Sequence, residues 1–451
     1  MKRTKGRNTS TARGKTSSNE YTWWQIGLFA IGALSFIAIL VVLFLPIGKG
    51  PANFDYSGPV PPVSSPRFVN MIAESMNAPL KQAGSIEVLN NGDAFLKSFL
   101  ADIDGAKSSI DVMVYIWTDG KMSDQVLDHL DQKLKQGVQV RIIIDSYGSS
   151  SDTPEKRFKA SRGLGAKITT FHSLTIAPWD FLKNQVRNHR RAIVIDGNIG
   201  YTGGMTVSDP WLGDARGPKE YRDMMFRSTG PLAHDLQGVF SELWTSMTGE
   251  ILAGDAIYPE PAPAQDKRGL TYVPIARVPS PDSLALQKLV LLSLKAAEQK
   301  IYITTPYFLP DASLRETLIS KARDGVDVRV LVPNSLNDSQ SVRYASQDSY
   351  EQLLSGGVKI YEYQPAFIHA KSISVDGIWS LVGSANMDNR SRKLNQEVVL
   401  GISDKAFGAT MEKTFSNDLT HAEQIDLAEW KKRGIWQRMR EKFDRNLVEQ
   451  Y

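Results

Sequence analysis

NHRRAIVIDG at residues 188–197 and IHAKSISVDG at residues 368–377 share one pattern: a histidine, any residue, a cation, four residues and an aspartate. Side chains two positions apart on a β-strand point to the same face. Each stretch therefore directs a histidine and a cation at one spot. The repetition of the pattern predicts two related halves that contribute to one site.

The two stretches belong to a longer internal repeat. AKSSIDVMVYIW from Ala106 is similar to AEQKIYITTPYF from Ala297, and QGVQVRIIID from Gln136 is similar to DGVDVRVLVP from Asp324. In each half, patterns of buried strands alternate with patterns of amphipathic helices, which is typical of α/β layers. The sequence therefore predicts the α/β class, with two pseudo-symmetric halves.

The N-terminal part of the chain has the pattern of a membrane anchor. No charged residue occurs from Ile26 to Ile47, and these 22 residues would reach about 33 Å as a helix, enough to cross a bilayer. Residues 1–22 carry six basic side chains and one acidic one. The positive-inside rule therefore predicts that this basic tail is cytoplasmic and that the rest of the chain lies outside. A cleaved signal peptide and a buried helix are the alternatives, but the length of the uncharged run favours the anchor.

Seven segments follow from these patterns. They are a basic cytoplasmic tail (1–22), a transmembrane helix (23–47), a linker that leads into the first half (48–84), the first half (85–253), a proline-containing linker between the halves (254–270), the second half (271–420) and a basic amphipathic C-terminal helix (421–451). The pattern of the C-terminal helix is compatible with packing on the body and with contact at a membrane surface.

Composition and charge exclude several classes of function. The chain has no cysteine, which excludes disulfides, thiolate metal sites, iron–sulfur clusters and a thiol nucleophile. Common nucleotide-binding and metal-binding motifs are missing, so the sequence predicts no cofactor and no metal. The net charge is +4, but residues 23–451 carry 47 basic and 48 acidic side chains, a net charge of −1. This balance argues against nucleic acid as a partner.

Two histidines and two cations at one site suit phosphoryl transfer without a metal. One imidazole can attack phosphorus and form a covalent intermediate, while the other protonates the leaving alkoxide and the cations neutralise the phosphate oxygens. Because a neutral imidazole needs a hydrogen-bond acceptor at its other nitrogen, the acids Asp223 and Glu397, which follow His189 and His369 by 34 and 28 residues, are candidates for that role. Thr206 and Asn386 each stand 17 residues after a motif histidine, in turns of small residues that can approach an anion.

These motifs resemble those of the phospholipase D superfamily, with its duplicated HxKxxxxD pattern, and within it the bacterial cardiolipin synthases. TTPYFLPD, GSANMDNRS and LNQEV are also similar to the synthase pattern, and the similarity extends over roughly residues 85 to 450. The resemblance implies a mixed β-sheet flanked by helices in each half. It also implies a phosphatidyltransferase of the bacterial inner membrane that converts two phosphatidylglycerols into cardiolipin and glycerol through a phosphatidyl-histidine intermediate. Membrane phospholipids are then the partners, and the oligomeric state stays open.

The resemblance further implies roles for individual residues. It assigns catalytic positions to His189, Arg191, Asp196, His369, Lys371 and Asp376, the substrate phosphate to Thr206, Ser384 and Asn386, and support of the histidines to Asp223 and Glu397. His189 is then the nucleophile and His369 the general acid and base, while the motif aspartates brace the strand and its turn.

Two residues of the first half depart from the family pattern. Arg191 stands where the pattern has lysine, and Thr206 where it usually has asparagine. Arginine keeps the positive charge but is bulkier than lysine, and we expect activity to survive the change.

Three other functions are compatible with these residues: a hydrolytic phospholipase D, a nuclease of the same superfamily and a non-catalytic lipid-binding protein. Outside the motifs, Tyr307 is interpreted as a core residue in preference to a ligand contact, and Asp338 as an ordinary loop acid in preference to a contact with a lipid head group.

Overall fold

The computed structural model describes residues 23–43, 54–82, 84–150, 152–172, 185–260, 270–277 and 284–448. Contacts divide the chain into two compact units, one before Gly48 and one from Gly48 to Glu449. The predicted cytoplasmic tail lies outside the described residues, as do residues 261–269 of the predicted linker between the halves.

The first unit contains α1, Trp23–Leu43, which has no charged residue. Among the described residues, no helix combines the length and the apolar character that a membrane span needs. Residues 44–47 of the predicted span lie outside the described residues. The transmembrane helix therefore stays a prediction.

Strands and helices alternate through the first half. Its strands, with one that precedes it, are β1 (Lys81–Gln82), β2 (Ser85–Asn90), β3 (Ser109–Val114), β4 (Gln139–Asp145), β5 (Lys167–Phe171), β6 (Ala192–Ile195), β7 (Ile199–Gly203), β8 (Tyr221–Arg222) and β9 (Met224–Thr229). The helix α2 (Pro66–Met76) precedes the first half, whose own helices are α3 (Asn91–Gly105), α4 (Lys121–Lys135), α5 (Glu155–Gly163) and α6 (Pro231–Thr248). The sheet, as described, has the order β2-β9-β7-β6-β3-β4-β5. It is mixed, because β3, β4 and β5 run parallel and the other neighbours antiparallel.

The second half repeats this plan. Its strands are β10 (Thr271–Arg277), β11 (Lys300–Thr304), β12 (Asp327–Pro333), β13 (Lys359–Tyr363), β14 (Phe367–Ile368), β15 (Ser372–Val375), β16 (Trp379–Gly383), β17 (Glu397–Ser403) and β18 (Ala422–Gln424). The helices are α7 (Ala285–Lys295), α8 (Ala312–Arg323), α9 (Gln340–Gln347), α10 (Tyr350–Ser355), α11 (Asn389–Lys393), α12 (Lys405–Leu419), α13 (Leu427–Lys431) and α14 (Ile435–Val448). The sheet order within the described residues is β1-β10-β17-β16-β15-β11-β12-β13-β18, with β11, β12 and β13 parallel.

Both ends of the body differ from the predicted segments. Part of the predicted linker 48–84 forms α2, whose Phe68 is buried edge-to-face against Trp379 of the second half, with ring centres 5.2 Å apart. The apolar spacing of this helix makes it a core element of the second half. The predicted C-terminal helix 421–451 instead begins with β18 and continues as α13 and α14, which are separated at Gly434.

The motif aspartates occupy matching hairpin turns. Asp196 and Gly197 have φ angles of 48° and 63°, and Asp376 and Gly377 have φ angles of 54° and 64°. Two successive positive φ angles are typical of the type I′ turn, which favours Asp-Gly. Each carboxylate accepts three backbone hydrogen bonds of 2.7–3.0 Å from the start of the neighbouring strand: Asp196 from Lys107, Ser108 and Ser109, and Asp376 from Glu298, Gln299 and Lys300. The aspartates therefore brace β3 and β11, at the far ends of β6 and β15 from the histidines.

The two halves share part of their core. Met224 and Phe226 of β9 lie in one buried cluster with Leu400 and Ile402 of β17. A buried ion pair adds to this contact, since the Arg222 guanidinium donates to both carboxylate oxygens of Asp418 in α12 at 2.7 and 2.9 Å. Apolar packing and a buried ion pair between the halves thus set the position of one half relative to the other.

Candidate active site

The motif histidines lie where the backbones of the two halves meet. β8 of the first half pairs in parallel with β14 of the second, and Asn188 forms a parallel bridge with Gln396. The amide of His369 donates to the carbonyl of Arg222 at 2.7 Å, and the amide of His189 donates to the carbonyl of Gln396 at 3.0 Å. Each histidine is therefore held by the backbone of the opposite half.

Because of this backbone pairing between the halves, the local structure around the histidines differs from the predicted one. The histidine and the cation of each motif were expected within a strand, but β6 begins at Ala192 and β15 at Ser372. The histidines precede these strands in short segments. The reason is that their amides bond to the other half and not to a neighbour in their own sheet.

Each imidazole is oriented by a carboxylate from the opposite half. His369 Nδ1 lies 2.6 Å from Asp223 Oδ2, and His189 Nδ1 lies 3.0 Å from Glu397 Oε2. All four side chains are buried. A carboxylate that accepts from Nδ1–H leaves the lone pair on Nε2, which is the form that a nucleophilic or basic imidazole requires.

Different groups support the two carboxylates. Glu397 accepts hydrogen bonds from the hydroxyls of Ser384 and Ser391, the latter at 2.8 Å. Asp223 accepts from Trp211 Nε1 at 2.9 Å. Ser384 is predicted to bind the substrate phosphate, and in the structure its buried hydroxyl donates to Glu397.

Only part of the predicted phosphate set reaches open space. Asn386 lines the cavity described below, and its buried Oδ1 has no hydrogen-bond partner among the described residues. Thr206 is fully buried, does not line that cavity, and its hydroxyl also has no partner in the described part of the chain. The hydroxyl of threonine sits on Cβ and reaches less far than the amide of asparagine, so the first half presents a shorter polar group at this position.

The motif cations lie directly beside the histidines. Arg191 Nη1 donates to the carbonyl of His189 at 2.6 Å, and Lys371 Nζ donates to the carbonyl of His369. Lys371 Nζ also lies 2.8 and 2.9 Å from the two ring nitrogens of His369. The guanidinium of the fully buried Arg191 lies 5.7 Å from the ring centre of Tyr115, a distance at which a cation and an aromatic face attract each other.

Burial and these cations set the charge states. Burial, with Arg191, lowers the pKa of His189 to about 4, and burial, with Lys371, lowers the pKa of His369 to about 3. Burial acts to raise the pKa values of Asp223 and Glu397, but the paired histidine and the other hydrogen-bond donors around each acid, with the charge of Lys371 near Asp223, outweigh it and hold both below their usual range. At neutral pH the site therefore contains two neutral imidazoles, each next to an ionised carboxylate.

A cavity of about 910 Å³ opens onto both histidines and Arg191. One wall is cationic, with Arg187 and Arg390. On another wall the Tyr307 hydroxyl donates a hydrogen bond to the Asp338 carboxylate, and its oxygen lies 2.7 Å from each of the two carboxylate oxygens. Tyr307 and Asp338 had been interpreted as a core residue and a loop acid. The fold brings the loop after β12 to the same cavity as the histidines, and Asp338 lines it.

Comparisons with known proteins agree with this architecture. The family profile described as "Cardiolipin synthase, PLD-like domain" matches residues 99–244 and 290–419. The chain belongs to this cardiolipin synthase family of phospholipase D-like proteins. Proteins named cardiolipin synthase A from Yersinia pseudotuberculosis (serotype O:1b, strain IP 31758) and from Yersinia pestis (bv. Antiqua, strain Angola) are each 33% identical to it over 367 residues, which are 80% of this chain and 74% of theirs.

Solved structures of other proteins share the fold of this chain. The crystal structure of phosphatidylserine synthase from Haemophilus influenzae Rd KW20 has a TM-score of 0.66 at 15% identity, over 85% of this chain and 99% of that one. Polyphosphate kinase from Porphyromonas gingivalis has a TM-score of 0.50 at 12% identity, over 83% of this chain and 52% of that one. At these identities the likeness shows the fold alone. The predicted α/β class, with a mixed sheet in each half, is confirmed.

We expect the charge of Lys371 to limit activity at alkaline pH. Burial lowers the pKa of Lys371 to about 7, so the ammonium is present below that pH and is lost as the pH rises through it. The kcat/KM for a phosphodiester donor should therefore fall above about pH 7. The Lys371→Arg variant, whose guanidinium stays charged, should extend activity to higher pH. The pH profiles of both proteins, and of the exposed-site control Lys121→Arg, test this, and identical alkaline limbs in all three would contradict it.

Proposed function

We propose that this protein is a membrane-anchored cardiolipin synthase, which transfers the phosphatidyl group of one phosphatidylglycerol to a second and releases glycerol. The observation that carries the proposal is the pair of buried imidazoles, each oriented by a carboxylate of the opposite half, at one cavity. The identity of 33% to proteins named cardiolipin synthase A supports the choice of substrate.

In the first step the Nε2 lone pair of His189 attacks the phosphorus of one phosphatidylglycerol. The bond between phosphorus and the head-group glycerol oxygen breaks, and a proton from His369 passes to that oxygen, which leaves as glycerol. The anionic phosphodiester offsets the positive charge of Arg191 and Lys371, which favours the imidazolium form of His369 that this step requires.

In the second step the roles of the two histidines reverse. A hydroxyl of a second phosphatidylglycerol gives its proton to His369 and attacks phosphorus, the bond between phosphorus and His189 breaks, and cardiolipin forms. During both steps the cations at positions 191 and 371, together with the Asn386 amide, stabilise charge on the non-bridging oxygens. Asp223 and Glu397 keep the rings in place, and Asp196 and Asp376 act at a distance by bracing the strands.

The main alternative is a hydrolytic phospholipase D with the same machinery, in which water takes the place of the second alcohol. The carboxylate of Asp338 at the cavity wall favours transfer, because the glycerol moiety of phosphatidylglycerol can donate one hydroxyl to it while another attacks phosphorus, which a single water molecule cannot do. The Tyr307 hydroxyl holds this carboxylate in position. The glycerol moiety of phosphatidylglycerol has hydroxyls of the kind that such a wall can bind. A lipid-binding protein without activity is the other alternative.

The test of the proposed function is an assay of the purified, detergent-solubilised protein with labelled phosphatidylglycerol. We expect cardiolipin and glycerol as products, and their loss in His189→Ala and in His369→Ala, because each variant removes one of the two reacting imidazoles. The lipids are separated and identified by mass. Phosphatidic acid as the sole product would indicate the hydrolase, and no product from a wider lipid panel would indicate the non-catalytic protein.

We expect Asp338 to favour an alcohol over water as the acceptor. In Asp338→Asn one charged acceptor is lost, and hydrogen bonds to charged groups contribute about 1.5–3 kcal/mol, so the ratio of cardiolipin to phosphatidic acid should fall by about 10-fold or more. Tyr307→Phe, which removes the hydroxyl that positions Asp338, should shift the ratio in the same direction. The exposed-site control Asp324→Asn should leave it unchanged. An unchanged product ratio in Asp338→Asn would assign the acid a structural role only.

We also propose that α1 anchors the enzyme in the bacterial inner membrane, with residues 1–22 in the cytoplasm and the catalytic body outside it. The uncharged sequence of α1 and the basic residues before it support this orientation. Alkaline phosphatase fused after Tyr451 should therefore be active in cells, and a fluorescent protein that folds only in the cytoplasm should be dark at the same position. The opposite pair of results would contradict the proposed topology.

A further inference from the structure

The last helix of the body has its apolar side outward. In α14, the side chains of Ile435, Trp436, Met439 and Phe443 are exposed by 70%, 79%, 56% and 67%. At 100° per residue these positions fall within about 100° of the helix surface. Large apolar side chains on one exposed arc mark a contact surface. We call these four side chains the α14 face.

The opposite side of α14, which faces the protein, is polar. Glu441, Asp444 and Arg445 are buried there. Glu441 pairs with Arg433 at 3.1 Å, and Arg445 Nη2 donates to the carbonyl of Pro310 at 3.1 Å. Polar contacts therefore dock the helix on the body, and the fold does not use the α14 face. This is the reverse of an ordinary surface helix, which buries its apolar side.

Exposed cations surround the α14 face. Arg438 and Lys442 lie on one side of the arc and Arg440 on the other, and Lys431 and Lys432 precede the helix. Apolar side chains flanked by basic ones fit the boundary of an anionic lipid bilayer, where the apolar groups enter the acyl region and the cations meet phosphates. A second copy of the chain fits less well, because it would bring two sets of cations together.

The same helix touches the catalytic cavity. Val448, the last residue of α14, lines it. α14 also packs against α9, where the Arg440 guanidinium lies 4.0 Å from the ring centre of Tyr344. Ser339 and Val342, at the start of α9, line the cavity as well. A bilayer that contacts the α14 face would therefore lie near the cavity.

We propose that the α14 face is a docking surface for an anionic bilayer, which holds the catalytic cavity at the level of the lipid head groups. The contact with the bilayer is independent of the chemistry. The delivery of lipid substrate to the cavity rests on the proposed function.

The natural sequence allows a direct test, because it contains no cysteine. Single cysteines placed in the full chain by Met439→Cys and Phe443→Cys carry a fluorescent probe, and Ile251→Cys is the control at an exposed apolar position outside α14. The proteins are reconstituted in bilayers of phosphatidylglycerol and phosphatidylcholine. Lipids with brominated chains should quench the probes at 439 and 443 but not the probe at 251, and a lower phosphatidylglycerol content should weaken the quenching.

Two results would overturn the proposal. One is equal access of aqueous iodide to the probes at 439, 443 and 251 in phosphatidylglycerol bilayers. The other is protection of the α14 face that increases with protein concentration in the absence of lipid, which would assign the face to a second copy of the chain.

A second measurement separates docking from catalysis. In the Trp436→Ser and Phe443→Ser variants, turnover of phosphatidylglycerol in vesicles should fall roughly fivefold or more, while turnover of a short-chain, monomeric phosphatidylglycerol should not change. The matched control Ile251→Ser should keep both activities. An equal loss on both substrates would contradict the docking role. If the natural protein turned over neither substrate, the proposed function would fail, and the quenching result would still decide the docking surface.

Discussion

The site depends on two hydrogen bonds, one from His369 to Asp223 and one from His189 to Glu397. Each of them joins an imidazole of one half to a carboxylate of the other. A half without its partner would have a motif histidine and no acid to orient it. Its own carboxylate would likewise have no imidazole to orient and, without the opposite half to cover it, would lie at an open surface. The chemistry therefore needs both halves in register, and the site exists only at their interface.

Backbone pairing provides this register. β8 pairs with β14, and Asn188 pairs with Gln396, so the residue before each histidine lies beside the residue before the opposite acid. The two links are related by the same pseudo-two-fold axis, as the contacts of an isologous dimer would be. The ion pair of Arg222 with Asp418 adds a charged contact next to one of them. Duplication of one half has thus produced a reciprocal interface within a single chain.

The two halves differ in the residues around their motif histidines, which need different environments. At the position that Ser384 occupies in the second half, the first half has Gly204, and a Cβ there would lie 2.2 Å from Asp223 Oδ1. The shorter acid therefore sits against glycine, while the longer Glu397 accepts a serine hydroxyl. One cation is an arginine and the other a lysine whose pKa burial lowers to about 7. Two groups of one type in unequal surroundings can act as nucleophile and as acid in one reaction.

The α/β class, the duplication and the two motifs could be predicted from the sequence, because these features depend on local spacing along the chain: strand and helix periods, an Asp-Gly turn and a histidine two residues from a cation. The sequence did not determine which acid serves which histidine, since order along the chain suggested His189 with Asp223 and the fold exchanges them. Only the tertiary structure shows that Ser384 donates to Glu397, that Asp338 lines the cavity of the histidines and that the apolar side of α14 faces outward. Their roles depend on which surfaces face each other across hundreds of residues, and no local pattern contains that information.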